Sequence, residues 1–121
     1  MKWHYKKPVN VKRVNGVKIF KVAGNFNLTT TPHICRLCDD LVKGKEEVKG
    51  ILLDFENVGE VDTTAFACMI NFIRHHMNEG VKVGIIHYNK KVKDLMVILK
   101  IDKLIPTFVD EKEAIDRLSH D

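Results

Sequence analysis

The sequence predicts a single α/β domain with a mixed, mostly parallel sheet of about five strands and four helices, opened by a β-hairpin. Its 121 residues, of which 45% are hydrophobic, suit one domain with a core of its own. Short apolar runs alternate with segments of helical apolar spacing, which indicates right-handed crossovers between parallel strands. We see no repeat or linker, so one domain is expected over residues 1–121, with a basic N-terminal arm at residues 1–8.

The first elements are a hairpin and a helix. Asn15-Gly16 lies between two alternating apolar runs and predicts a two-residue turn, because both turn positions need positive φ. We predict strands over Val9–Val14 and Val17–Ala23, with Gly24 ending the second. Thr31 as cap and Pro32 as first helical residue predict a helix that stops at Gly44.

The middle of the chain predicts a buried strand and a second helix. Gly50–Phe55 is a short continuous apolar run, typical of a strand buried on both faces. A loop over Glu56–Val61 should follow. The helix then begins near Asp62 and ends at Gly80, with a core stripe at helical spacing formed by Phe66, Met69, Ile70, Ile73 and Met77.

The last elements are two strands and two helices. Val81–Ile86 predicts a strand, and Asn89 caps a third helix. Thr107–Val109 is a short final strand, and Asp110 with Glu113 resembles a capping box that opens the final helix. The core stripe of the third helix consists of Val92, Leu95, Met96 and Leu99.

Polar residues collect where the carboxyl ends of the strands are expected, which is where sites form in such sheets. Asp62 can cap the second helix, so Thr63 would lie in its first turn with the hydroxyl near the surface. A phosphate there would meet unpaired N–H groups and bring about −1.5 to −2 charges beside Glu60 and Asp62. Spacing alone leaves open that Thr63 and Thr64 only start the helix.

Other chemistries are weakly supported. Cys35, Cys38 and Cys68 cannot all pair within one chain, so free thiols are expected. The Cys35-to-Cys38 spacing falls inside a helix and lacks the further ligands of a zinc site, which favours buried core cysteine. His75 and His76 read as solvated helix surface. We expect no catalytic site, metal or cofactor, and therefore not an enzyme.

Charge and hydropathy limit the partners. The net charge of +4 is concentrated partly in the N-terminal arm, and this faint basic pattern does not favour nucleic-acid binding. No apolar run reaches the roughly 20 residues of a membrane span, and the first residues lack the apolar stretch of a signal peptide. The expected location is the cytoplasm.

Taken together, the pattern resembles the STAS domain family, and specifically anti-sigma factor antagonists. The Asp-Thr step after the buried strand is the most specific part of this resemblance, which covers nearly the whole chain. The segments that carry it are Gly24–Asn27, Ile51–Phe55, Val61–Ala65, Asn89–Leu99 and Phe108–Leu118.

The resemblance implies a phosphorylation-switched binding protein. In the family, the hydroxyl residue after the aspartate is phosphorylated by a serine/threonine kinase that is also the anti-sigma factor. The unphosphorylated form binds that partner and the phosphorylated form releases it. Carried over, the acceptor is Thr63, with Thr64 as second choice. The expected partner-binding residues are Asn25, Asn27, Asp62, Thr63, Thr64, Cys68 and Phe72.

Three positions depart from the family pattern. Thr63 replaces the usual serine, Ala65 replaces a glycine common two residues beyond the acceptor, and Asn27 replaces an aspartate. The alternative is therefore a STAS scaffold that is never phosphorylated, or one that binds a small ligand. The sequence leaves the oligomeric state open.

Two surfaces have alternative interpretations. The second helix carries another apolar face, formed by Ala65, Cys68 and Phe72, which is either a docking patch beside Thr63 or covered by the neighbouring helix. Three lysines crowd the first turn of the third helix and suit either an acidic partner or phosphate, or plain solvation. These lysines are Lys90, Lys91 and Lys93.

Overall fold

The element order observed in the structure is the predicted one. A computed structural model describes residues 8–43 and 47–120. The predicted N-terminal arm, apart from Pro8, and the helix stop at Gly44 lie outside these residues. The elements are β1 (Val9–Val14), β2 (Val17–Phe26), α1 (Thr30–Val42), β3 (Gly50–Val61), α2 (Thr63–Asn78), β4 (Lys82–Ile86), α3 (Lys90–Ile98), β5 (Thr107–Phe108) and α4 (Glu111–Ser119).

The five strands form one mixed sheet in the order β1-β2-β3-β4-β5. β1 and β2 pair antiparallel, with Val14 opposite Val17, and the other neighbouring strands pair parallel. Asn15 and Gly16 have φ of 51° and 82°, as a two-residue hairpin turn requires. The predicted fold class is confirmed.

Helices cover both faces of the sheet. α1, α2 and α3 enclose the larger core, whose fully buried side chains include Phe20, Phe66 and Ile85. α4 packs on the opposite face, where Leu118 lies in a smaller cluster. At Gly50 a β-carbon would stand 2.7 Å from the Leu118 carbonyl oxygen, so the strand can approach α4 this closely only without a side chain.

The strands that lead to the candidate site are longer than predicted. β2 continues past Gly24 to Phe26, and β3 continues past Phe55 to Val61, so the predicted loop over Glu56–Val61 is wrong. Two register shifts allow the extension, in which Ala23 pairs with Asn57 and Phe26 with Val61. The polar residues of this segment therefore lie on a strand that is paired with β2, with two irregularities in its register.

The start of α1 also differs from the prediction. The side-chain oxygen of Asn27 accepts hydrogen bonds from the backbone N–H groups of Thr29 and Thr30, both at 2.9 Å. Its carbonyl accepts the N–H of Thr31 at 3.0 Å. Thr31 is thus inside the helix, fully buried, with a hydroxyl that has no hydrogen-bond partner among the described residues. The Asn27 side chain, and not a cap at Thr31, therefore holds the turn that leads into α1.

The other predicted helix starts are confirmed. Asn89 accepts the N–H of Val92 at 2.9 Å, and Asp110 accepts the N–H of Glu113 at 3.2 Å. Each of these bonds satisfies a backbone donor that the first helical turn leaves unpaired. Short polar side chains therefore determine where α3 and α4 begin.

Candidate functional site

The candidate site lies where β3 ends and α2 begins. Asp62 donates its backbone N–H to the Phe26 carbonyl at 2.8 Å, which ties this turn to the end of β2. The Asp62 carboxylate accepts the N–H of Ala65 at 3.0 Å, and its carbonyl accepts the N–H of Phe66 at 2.9 Å. Asp62 is therefore the cap of α2, as predicted, and is held at both backbone and side chain.

Thr63 and Thr64 are the first two residues of α2, and both are exposed. No hydrogen bond to the Thr63 hydroxyl is formed within residues 8–43 and 47–120. The hydroxyl stands at the positive end of a 16-residue helix, where backbone N–H groups lack helical acceptors. A negative group placed here would be accessible and near these donors.

Asn25 forms part of the rim beside the α2 start. Its side-chain oxygen accepts the N–H of Glu60 at 2.9 Å, so the end of β2 supports the end of β3. Its backbone carbonyl accepts the hydroxyl of Thr30, which links it to α1. A β-carbon on Gly59 would lie 2.5 Å from the Asn25 side-chain oxygen. This close approach requires glycine at position 59 or a displaced Asn25.

The N-terminus of α3 is bound to the same end of the sheet. The Asn89 side-chain amide donates to the carbonyls of Val58 and Gly59, at 3.3 and 3.2 Å. Three helices therefore begin at the same end of the sheet, and Asn27, which holds the turn before α1, belongs to this end. The structure brings Asn25, Glu60 and the Asp62–Thr64 segment to it as well.

The second apolar face of α2 is an internal contact. Phe72 is only 6% exposed and its ring lies 4.6 Å from that of His76, while Ala65 is fully buried. The Cys35 thiol of α1 lies 4.0 Å from the Cys68 carbonyl, which marks this face as the contact between α1 and α2. Of the two interpretations of this face, packing within the domain is the one that the structure shows for Phe72, while Cys68 is half-buried. Partner binding by these residues stays a prediction.

The cysteines lie in a low-dielectric setting. Burial raises the pKa of the Cys38 thiol to about 12, and burial followed by the charge of Asp39 raises that of Cys35 to about 11. Both therefore stay protonated at neutral pH, the opposite of an activated nucleophile. Within the described ranges, no group of three His, Cys, Asp or Glu side chains could hold a metal ion.

Sequence reasoning missed two histidine–aspartate pairs. His76, expected at the surface, is buried and lies 3.0 Å from the Asp39 carboxylate, which joins α2 to α1. His87 has a left-handed backbone with φ of 58°, and its ring nitrogen lies 3.1 Å from the buried carboxylate of Asp54. The carboxylate of Asp54 within an apolar strand was the only sequence signal for the second pair.

Comparison with known proteins identifies the family. The family model described as STAS domain matches residues 8–114. The chain belongs to the STAS domain family. No curated protein sequence matches it. Over the described residues, the helices are too short or too polar for any of them to cross a membrane.

Solved structures share the fold at low sequence identity. A Thermotoga maritima protein, TM1081, matches with a TM-score of 0.78 and 18% identity over 93% of this STAS domain and 95% of that chain. An anti-sigma factor antagonist from Mycobacterium paratuberculosis matches with a TM-score of 0.77 and 13% identity, covering 93% of each chain. SpoIIAA in its unphosphorylated form, an anti-sigma factor antagonist, matches with a TM-score of 0.71 and 14% identity. The match covers 91% of this STAS domain and 95% of the SpoIIAA chain.

Proposed function

We propose that this STAS domain is an anti-sigma factor antagonist that binds an anti-sigma factor with serine/threonine kinase activity and is switched by phosphorylation of Thr63. Its role would be the regulation of transcription in the cytoplasm. The observation that carries this proposal is the exposed Thr63 at the first position of α2, beside the Asp62 cap. Solved antagonists of the same fold include SpoIIAA in its unphosphorylated and phosphorylated forms.

The geometry suits a switch that changes charge with little movement. Thr63 follows a residue that is fixed by three hydrogen bonds, so a kinase would meet the hydroxyl on a rigid helix start. Phosphate would add about −1.5 to −2 charges next to the exposed side chains of Glu60 and Asp62. A partner surface that fits the neutral hydroxyl would then face a strongly negative group, and it would dissociate.

Thr64 is the second-choice acceptor, so the assignment of the phosphate to Thr63 has to be tested against it. It is also exposed and lies in the same turn, so accessibility alone does not separate the two threonines. Incubation with the cognate kinase and ATP, followed by tryptic mass spectrometry, identifies the modified residue. We expect one phosphate on Thr63, its loss in Thr63→Ala and its retention in Thr64→Ala. Phosphate on another residue, or none in the wild-type chain, would contradict the proposal.

A constitutive or small-ligand-binding STAS domain is the second candidate. Asn27 carries no negative charge and its side-chain oxygen is committed to α1, so the rim lacks one carboxylate of the usual switch. A groove of about 530 Å³ also opens between the end of β2 and α1, next to Asn25. Its lining includes Ala23, Gly24, Thr29, Thr30, His33 and Ile34.

Partner affinity separates these two candidates. The switch proposal predicts that Thr63→Asp weakens partner binding while Thr63→Ala retains it, because only the first adds charge. Asp62→Asn is the control for the charge of Asp62 itself, because asparagine removes the carboxylate and still caps the helix well. Equal affinities of Thr63→Asp, Thr63→Ala and the wild type would favour the constitutive domain.

A further inference from the structure

The outer face of α3 combines basic and apolar side chains. Its inner face is buried through Val92 and its neighbours, which fixes the helix on the sheet. Its first turn exposes lysines and its last turn exposes Val97 and Ile98, whose exposed fractions are 54% and 68%. The exposed lysines are Lys90, Lys91 and Lys93. We call these five residues the α3 face.

The lysines of the α3 face are unfavourably placed for the helix itself. Cations at a helix N-terminus oppose the macrodipole, so they reduce rather than increase the stability of α3. Lys90 is offset by Asp94, with 2.8 Å between its ammonium nitrogen and the carboxylate. Across the residues that the structure describes, Lys91 and Lys93 have no carboxylate partner. Their charge is free to act on another molecule.

The exposed apolar residues at the other end of the α3 face likewise add nothing to the core of the domain. Val97 and Ile98 are adjacent branched residues that the core leaves uncovered. Covering both side chains would remove apolar surface from water and so favour an association. Because α3 is anchored by Asn89 to the carbonyls of Val58 and Gly59, the face is presented on a rigid element.

We propose that the α3 face is a docking surface for an acidic protein segment that also carries apolar side chains. Charge complementarity selects the acidic character, because Lys91 and Lys93 add to the positive end of the helix dipole. The apolar residues of the segment would cover Val97 and Ile98. Asp94 lies on the outward side of the same helix and is paired with Lys90, so Lys91 and Lys93 supply the attraction for the acidic side chains of the segment. This surface does not depend on phosphorylation at Thr63.

The test uses the full chain, labelled with ¹⁵N, and a synthetic amphipathic peptide of Glu and Leu. The titration is run at about 150 mM salt, where screening acts beyond about 8 Å and weakens non-specific attraction. We expect amide shifts confined to residues 89–100. A Glu and Ser peptide of equal charge should bind at least tenfold more weakly. Shifts spread over other elements, or no shifts, would overturn the proposal.

Matched variants separate a site from net charge. Lys91→Glu/Lys93→Glu should weaken peptide binding at least tenfold, whereas Lys49→Glu/Lys112→Glu, with the same net charge, should leave it within twofold. Equal weakening by both pairs would overturn the proposal, because it would indicate overall charge alone. Sedimentation with phosphatidylcholine–phosphatidylserine vesicles measures whether the same face binds an anionic membrane. Vesicle binding without peptide binding would assign the α3 face to a membrane instead.

Val97→Ser/Ile98→Ser tests the apolar part of the α3 face. Both side chains are exposed, so the variant should fold with unchanged thermal stability while peptide affinity falls about tenfold, the equivalent of about 1.4 kcal/mol. Unchanged affinity in a folded variant would remove the apolar contact from the proposal and thereby overturn it.

Discussion

The contact between Gly59 and Asn25 allows the rim of the Thr63 site to be tested by a double-mutant cycle. In Gly59→Ala the new methyl group would stand 2.5 Å from the Asn25 side-chain oxygen. This oxygen is at the end of a flexible side chain, so Asn25 should turn away and give up its hydrogen bond to the Glu60 N–H. Gly59 does not have positive φ, so alanine fits the backbone there.

The magnitude follows from two opposing effects. Loss of the Asn25–Glu60 hydrogen bond costs about 1 kcal/mol. Replacement of glycine by alanine returns about 0.4–1 kcal/mol by restricting the unfolded chain. Gly59→Ala should therefore be neutral to slightly destabilising in the wild type. In an Asn25→Ala background, where the bond is already absent, it should stabilise the protein by about 0.4–1 kcal/mol.

The assay is urea unfolding of the four proteins in the cycle. The effect of Gly59→Ala on the free energy of unfolding should be about 1 kcal/mol more favourable in the Asn25→Ala background, a coupling typical of residues in contact. With the m-values usual for small domains this is a midpoint shift of roughly 0.5 M urea. An effect of Gly59→Ala that is the same in both backgrounds would refute the proposed rim geometry.

Three further predictions concern the helix start, the α4 contact and the thiols. Asp62→Ala should lower the free energy of unfolding by about 1 kcal/mol in urea titrations while Asp62→Asn retains it, because only alanine removes the cap of α2; equal losses would contradict a capping role. Gly50→Ala should destabilise by about 1–3 kcal/mol, since its methyl group would meet the backbone carbonyl of Leu118, and a neutral result in thermal unfolding would contradict that contact. The pKa of Cys38 is raised to about 12 in the fold, so the unfolded chain loses this proton first and the free energy of unfolding should fall as pH rises above about 9. A Cys38→Ala control should show a smaller fall, and an identical pH dependence in both proteins would contradict the assignment.

Local signals were sufficient to predict the element order. Asn15-Gly16 determines its hairpin through positive φ at two adjacent residues, which depends on no distant contact. Asp62, Asn89 and Asp110 each cap the helix that follows by bonding a residue three positions along. Because these interactions are short in sequence, a pattern of a few residues contains them completely.

The errors arose where distant segments decide the structure. The end of β3 carries charged residues and resembles a loop, yet pairing with β2 through two register shifts makes it a strand. The sequence left Phe72 open between solvent and a neighbouring helix, because only the packing of distant segments decides its burial. Thr31-Pro32 resembles a helix start, but the double acceptance by Asn27 begins α1 earlier. The exposed Thr63 itself followed from its position beside a recognisable cap.

The most direct test of the switch is the affinity of one partner for two forms of one protein. The kinase-type anti-sigma factor would be titrated, by calorimetry, with the unphosphorylated chain and with the chain phosphorylated on Thr63. Charge repulsion at a fitted interface is worth several kcal/mol, so we predict binding at least about 30-fold weaker after phosphorylation. Equal affinity of the two forms would contradict the account.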